Sequence, residues 1–211
     1  MKKLFSIILG TALLISCSID QHFHFNDDYS GNYLMEFDMS ALMDFAGEMD
    51  STDSDEDIWG DLPMDSMQDA MNAVVGINNA KFFEENNVLK MSYEFENLEA
   101  LNSALANSDL EDSEEDDVLG ALMGDATNFE AKGKKFYYTT PDISTVEIAD
   151  SMTEYMEMFE YAVTMSYEND IKKIENSDAI IGEDNKSFTL KGNFKELMLG
   201  EKQLSTEVRL K

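Results

Sequence analysis

Apolar and polar residues alternate along several short stretches of the chain, which is the pattern of strands that bury one face. This alternation, interrupted by Asn, Asp and Gly residues typical of turns, predicts β-hairpins over residues 19–38, 80–95 and 129–140. Within the first hairpin, His22 and His24 lie two residues apart on a predicted strand, so both imidazoles are expected on one face of the sheet.

Other apolar residues recur with the period of a helix. Pro63 suits a first helical turn, and the following helix is predicted to carry its apolar residues on one face: Met64, Met67, Met71, Val74 and Val75. Shorter helices are predicted over residues 40–48, 98–105 and 148–155.

The carboxyl-terminal part is predicted to be mostly strand. Residues 159–167 fit a helix or a strand, and the alternation from Tyr161 to Tyr167 favours the strand. The last forty residues read as a meander with a short helical crossover near 194–199, its strands covering residues 179–182, 187–191 and 204–210.

These elements together predict an α+β fold, a mostly antiparallel sheet built from hairpins with a few short helices packed on one face. Residues 17–211 are expected to form a single acidic domain, because this length supports one substantial core. Acidic loops are predicted near residues 50–61 and 108–117.

The amino terminus has the features of a lipoprotein signal peptide over residues 1–16. Lys2 and Lys3 precede an apolar run of about a dozen residues, too short for the ~20 that a membrane-spanning helix needs. Residues 14–17, Leu-Ile-Ser-Cys, resemble the lipobox of bacterial lipoproteins, which implies cleavage before Cys17 and lipid attachment to it. The alternative is an ordinary secretory signal, but Cys17 is the only cysteine, and a lone thiol is a liability in an oxidising compartment.

Charge excludes one class of partner. The formal net charge is −29, and residues 44–130 hold 24 acidic residues against two lysines, Lys81 and Lys90. Such a chain is repelled by nucleic acid, so no nucleic-acid partner is expected.

Three groups of residues are candidates for metal binding: the two histidines, the loops rich in oxygen donors, and the methionines of the predicted helices. His22 and His24 are candidate zinc ligands, although zinc usually takes three or four protein ligands and no second His or Cys cluster exists. The acidic runs, and residues 26–31 with their alternating oxygen donors, are candidates for weak calcium association.

The methionines at helical spacing, above all Met64, Met67 and Met71, fit a buried helix face. An adaptable apolar groove that binds a ligand and a copper(I) site are the lesser alternatives, because the methionine side chain is unbranched and its thioether is a soft ligand.

Catalytic chemistry is not predicted, and no cofactor is expected. Lipidation would remove Cys17 as a nucleophile, no Gly-x-Ser-x-Gly elbow exists, and a serine triad would have to use His22 or His24. Arg209 is the only arginine, so bidentate binding of phosphate is nearly unavailable. A carboxylate-based hydrolase is the remaining enzymatic alternative, but 44 acidic residues give no means of choosing a pair.

The lipobox, the early hairpin with Ser30-Gly31-Asn32-Tyr33, the stretch Phe37-Asp38-Met39-Ser40 and the closing meander resemble uncharacterised envelope lipoproteins of the Bacteroidota type. The layout is also distantly similar to LppM-like envelope lipoproteins. The resemblance transfers no catalytic residues and suggests at most a lipid-contacting role. A lipobox joined to a folded domain without catalytic chemistry predicts a membrane-anchored, non-catalytic domain that binds a protein or an amphipathic ligand near the membrane. Ser18 after the cysteine, where some sorting systems use Asp for inner-membrane retention, favours the outer membrane.

Overall fold

Strands make up most of the structure and the helices are short, so the predicted α+β class is confirmed. The structure is a computed structural model that describes residues 17–38, 63–86, 88–106, 127–140 and 155–211. The predicted signal segment, the predicted helix at 40–48, the acidic loops and most of the predicted helix at 148–155 lie outside these residues.

The first half of the described chain contains strands β1 (Cys17–Phe25) and β2 (Gly31–Asp38), helix α1 (Met64–Ala73), strands β3 (Ile77–Glu85) and β4 (Val88–Phe95), and helix α2 (Leu98–Ala106). The second half contains β5 (Asn128–Lys132), β6 (Lys135–Thr139), a 3-10 turn (Tyr155–Met158), β7 (Phe159–Tyr167), β8 (Ile171–Ile174), β9 (Ile180–Ile181), β10 (Ser187–Asn193), α3 (Phe194–Met198) and β11 (Thr206–Leu210).

The strands form two sheets. A large sheet has the order β3-β4-β2-β1-β7-β10-β9, and a small sheet has the order β5-β6-β11-β8. The large sheet is mixed, because its central strands β1 and β7 run parallel while its other neighbouring pairs are antiparallel. This parallel pair departs from the antiparallel arrangement predicted for most of the sheet.

The predicted carboxyl-terminal meander is wrong in its connectivity. Strands β9 and β10 belong to the large sheet, whereas β11 pairs with β6 and β8 in the small one. Strand β8 was not predicted, because only Ile171 is buried in its four residues and so short an apolar pattern carries no period. The chain leaves one sheet for the other through α3.

An aromatic core fills the space between the two sheets. Residues of β1 are alternately buried and half-exposed along its whole length, as period-two patterning requires. On the buried side, Phe23 packs on Phe129 with ring centroids 4.8 Å apart, and Phe25 packs on Phe136 at 4.7 Å. Each pair joins the large sheet to the small one, so aromatic packing holds the layers together.

Helix α1 begins after Pro63 as predicted but ends earlier. Its last helical residue is Ala73, so Val74 and Val75 lie in the following turn and not on the predicted apolar face. Val75 is 91% exposed. The backbone leaves the helix at Val74, whose φ of −70° and ψ of 128° are extended, and Gly76 continues the turn with a φ of +82°.

Three buried polar atoms of the core make no hydrogen bond of standard geometry to any residue that the structure describes. They are the Gln21 side-chain oxygen and the hydroxyls of Tyr93 and Tyr138. Burial raises the pKa of Tyr93, and burial together with the nearby Tyr161 hydroxyl raises the pKa of Tyr138. Buried polar atoms without partners destabilise a fold, so these positions are sensitive to what fills the space beside them.

Candidate functional site

The candidate site lies on the outer face of the large sheet, which is the face turned away from the aromatic core. Strand β1 places His22 and His24 there, at the middle of a seven-stranded sheet. Thr164 of β7 and Leu34 of β2 are opposite His22, whereas Ser166 of β7 and Asn32 of β2 are opposite His24. The prediction that the two imidazoles share one face is therefore confirmed.

The two histidines line a depression of about 400 Å³ that we call the histidine groove. Its other polar walls come from β2, β3, β4 and β7, and they include Asn32, Lys81, Ser92, Glu94, Thr164 and Ser166. Asn32, Lys81 and Glu94 are exposed. The groove thus offers hydroxyl, amide, imidazole and charged groups on a rigid sheet, which is the arrangement of a polar binding surface.

Ser166 lies against the imidazole of His24. The Ser166 hydroxyl oxygen is 3.0 Å from His24 Nδ1 and 3.2 Å from the Phe23 backbone carbonyl. A hydroxyl has one proton, so it can be donated to only one of these two groups at a time. In either arrangement Ser166 fixes the orientation of the imidazole.

His22 lies beside an ion-pair network. Its Nε2 is 3.9 Å from Glu36, and Glu36 pairs with Lys90 at 3.0 Å. The hydrogen bonds that Lys90 donates to Glu36 and then to Glu85 raise the pKa of Lys90, so the lysine stays charged. The Glu36 carboxylate is shared between a full positive charge and the imidazole, and such exposed pairs are weak.

The pair His24 and Ser166 has the composition of a catalytic dyad. A serine nucleophile directs its proton at an imidazole, whereas the Ser166 hydroxyl lies within hydrogen-bond distance of both His24 Nδ1 and the Phe23 carbonyl. We describe Ser166 as a positioning residue for His24.

The remaining predicted metal sites can be placed in part. Within the described ranges, no group of three or more His, Cys, Asp or Glu residues is arranged to hold a metal ion. In the turn at residues 26–31, Asp28 accepts hydrogen bonds from the Ser30 hydroxyl and backbone N–H at 2.7 and 3.0 Å, and these bonds lower its pKa. Asp28, a predicted calcium ligand, therefore stabilises the turn through these hydrogen bonds.

The methionine helix is part of the core. Met71 is 5% exposed and belongs to the apolar cluster, while Met64 and Met67 are half-buried. Neither the histidine groove nor the depressions at residues 175–178 and 26–29 is lined by these methionines. The predicted ligand groove at Met64, Met67 and Met71 stays a prediction.

Cys17 is the first residue of β1. Its side chain lies on the core face with Ile19 and is 2% exposed, and its backbone is opposite Phe159 of β7. Strand β1 thus begins two residues earlier than predicted, at Cys17 instead of Ile19.

Sequence reasoning found the histidines but missed Thr164 and Ser166. The alternation at residues 161–167 does place both on the face opposite Tyr161. Their position beside His22 and His24 depends on the parallel pairing of β1 with β7, for which the sequence gives no local signal.

No helix in the described ranges has the length and apolar character needed to cross a membrane. No protein-family model matches the chain, and no curated protein matches it in sequence. Among solved structures, the chain is similar to the folded domain of Mycobacterium tuberculosis LppM, with 10% identity and a TM-score of 0.46, over 93% of this chain and 90% of that chain. A score of this size carries no functional argument, and the resemblance to Bacteroidota-type lipoproteins stays a prediction.

Proposed function

We propose that this protein is an envelope lipoprotein, held to the membrane by lipid on Cys17, whose non-catalytic domain binds a protein or an amphipathic ligand through the histidine groove. The observation that carries the binding proposal is the groove itself, where polar side chains of five neighbouring strands meet on the outer face of the sheet. Strands hold such side chains more rigidly than loops do, so little entropy is lost when a partner binds.

The non-catalytic part of the proposal rests on the hydrogen bonds of the groove. The Ser166 oxygen contacts both His24 Nδ1 and the Phe23 carbonyl, so its proton is shared between an imidazole and a backbone acceptor and is not directed at the imidazole alone. This chemistry suits hydrogen bonding to a polar partner better than nucleophilic attack.

The anchor has a structural consequence. A diacylglyceryl group does not fit where the Cys17 side chain is 2% exposed, so the lipidated residue must turn out of the first position of β1. Ile19, 1% exposed, then becomes the first residue of the strand that is fixed in the core.

Membrane attachment is tested by fractionating cells that express the full chain. We expect Cys17→Ala to move the protein from the membrane fraction to the soluble fraction, because two or three acyl chains supply the stable attachment. The matched variant Ser18→Ala keeps the cysteine and should stay with the membrane. Retention of Cys17→Ala in the membrane fraction would contradict lipid anchoring.

The groove is tested by placing a photo-crosslinking residue at Asn32, inside it, and at Lys172, which is exposed on the small sheet. In intact cells we expect a discrete adduct from position 32 only, lost when Thr164→Arg fills the groove. Detection of the same adducts at both positions would contradict binding at the histidine groove. Turnover of any substrate in a hydrolase panel that is abolished by His24→Gln would contradict the non-catalytic assignment.

A further inference from the structure

The lipid attachment point and the folded body are joined without a tether. Strand β1 starts at Cys17, with Cys17 opposite Phe159 of β7 and Ser18 opposite Asp38 of β2. Neighbouring strands on both sides therefore hold β1 in place. When Cys17 alone leaves the strand with its lipid, Ser18 and Ile19 come directly after the lipidated residue. A body attached in this way cannot rotate freely above a membrane, unlike one on a flexible linker.

The elements beside Cys17 form one end of the molecule. The 3-10 turn Tyr155–Met158 leads directly into Phe159, and α3 starts where β10 ends, with Asn193 opposite Glu160. The rings of Phe159 and Phe194 meet with centroids 5.9 Å apart, which joins α3 to the start of β7. We call this region, Met158 with residues 194–199, the Cys17 end.

The Cys17 end exposes apolar side chains beside ion pairs. Met158 is 39% exposed and Leu199 is 59% exposed. Lys195 pairs with Glu157, and Lys202 pairs with Glu196 at 3.1 Å. Long lysine side chains at such a surface can keep their charge in the headgroup region while their stems cover apolar atoms.

The opposite end of β1 is far from the anchor. Strand β1 has nine residues, so its ends lie about 26 Å apart. Around Phe25, at the far end, are Asp27, Asp28, Glu168 and Asp170, and Asp170 pairs with Lys211 at 3.0 Å. Glu160, opposite Ser18, is exposed at the Cys17 end, so the position of the anchor and not the charge distinguishes the two ends.

We propose that the Cys17 end rests on the lipid surface, with Met158 and Leu199 in the headgroup region and the Phe25 end pointing away. The inference rests on the proposed lipidation of Cys17 and adds the orientation of the domain. It places the strands of the large sheet steeply to the membrane, so that the histidine groove opens sideways, along the surface. A partner in the same membrane can then reach the groove without the domain turning over.

Labelled single cysteines test this orientation in the lipidated protein, because Cys17 is the only native cysteine and would be blocked by lipid. An environment-sensitive fluorophore is attached at Leu199→Cys, or at Val75→Cys as the matched control. Val75 is also an exposed apolar residue, at 91%. It lies in the turn before Ile77, and Ile77 is at the Phe25 end of the sheet. The full chain is purified from membranes and placed in phosphatidylethanolamine–phosphatidylglycerol vesicles that carry a headgroup quencher.

We expect quenching about threefold stronger at position 199 than at position 75, since apolar side chains at an interface sit within the headgroup layer. Met158→Cys, at the same end, should behave like Leu199→Cys and replaces it if that variant does not fold. Equal quenching at both ends in a protein whose intact mass shows acyl chains would overturn the orientation alone. Absence of acyl mass on Cys17 would overturn both the anchor and the orientation.

Discussion

The imidazole of His24 is held by a hydroxyl 142 positions further along the chain. Local alternation predicts which way His24 points, because that depends only on the pleat of its own strand. Its hydrogen bond to Ser166 depends on which strand lies next to β1, and this is decided by packing across the whole sheet. The same limit applies to Tyr93, where the sequence predicts burial but not the lack of a partner for its hydroxyl.

Tyr93→Phe tests that lack of a partner. The substitution removes a buried hydroxyl that makes no hydrogen bond to the described residues, so the free energy of unfolding should stay the same or rise by up to about 1 kcal/mol. Tyr29→Phe is the matched control, because the Tyr29 hydroxyl donates to the Gly133 carbonyl at 3.0 Å and its loss should cost about 0.5–1 kcal/mol. Denaturant unfolding measures both. A loss above 1 kcal/mol for Tyr93→Phe would contradict the lack of a partner.

Strands with clear alternation could be predicted from the sequence, whereas the strands that pair with them could not. β1 and β4 bury every second residue over their whole length, and β2 and β7 do so over most of theirs, which is long enough to identify a strand. The four residues of β8 are too few for this, and the parallel partner of β1 comes from more than 130 residues away. The groove is made by those distant neighbours, so only its histidine side could be predicted.

Helix α3 depends on a reciprocal cap. The Asn193 side chain accepts from the Glu196 backbone at 2.8 Å, and the Glu196 carboxylate accepts from the Asn193 backbone at 3.0 Å. The hydrogen bond from the Asn193 backbone, and then the ion pair with Lys202, hold the pKa of Glu196 below its ordinary 4.5. The carboxylate therefore stabilises the fold above pH 4.5, and this contribution is lost as the pH falls through the lowered value.

Glu196→Gln should accordingly lower the free energy of unfolding by about 0.5–1 kcal/mol at neutral pH, the usual size of a helix cap. The difference from the wild type should shrink as the pH falls below 4.5. Glu201→Gln, which removes an exposed acid just after the helix, is the control and should show no comparable change. Urea titrations over a series of pH values would measure the effect, and a difference that does not depend on pH would argue against the cap.

For the whole molecule, the position of Cys17 is more informative than the net charge. The net charge of −29 predicts repulsion of nucleic acid, but composition does not show where the charge lies. The structure adds that β1 begins at the predicted lipid site, and that acidic residues lie at both ends of this strand, with Glu160 opposite Ser18 and Asp27 beyond Phe25. The proposed anchor rests on a signal peptide and lipobox, which are local patterns, whereas the proposed orientation rests on the sheet.

Anchoring at Cys17 is the central claim, and intact-mass measurement of the protein extracted from membranes tests it most directly. The account predicts a chain that begins at Cys17, without residues 1–16, whose amino-terminal peptide carries the added mass of two or three acyl chains. A chain that begins at another residue, or one that begins at Cys17 with an unmodified thiol, would contradict it.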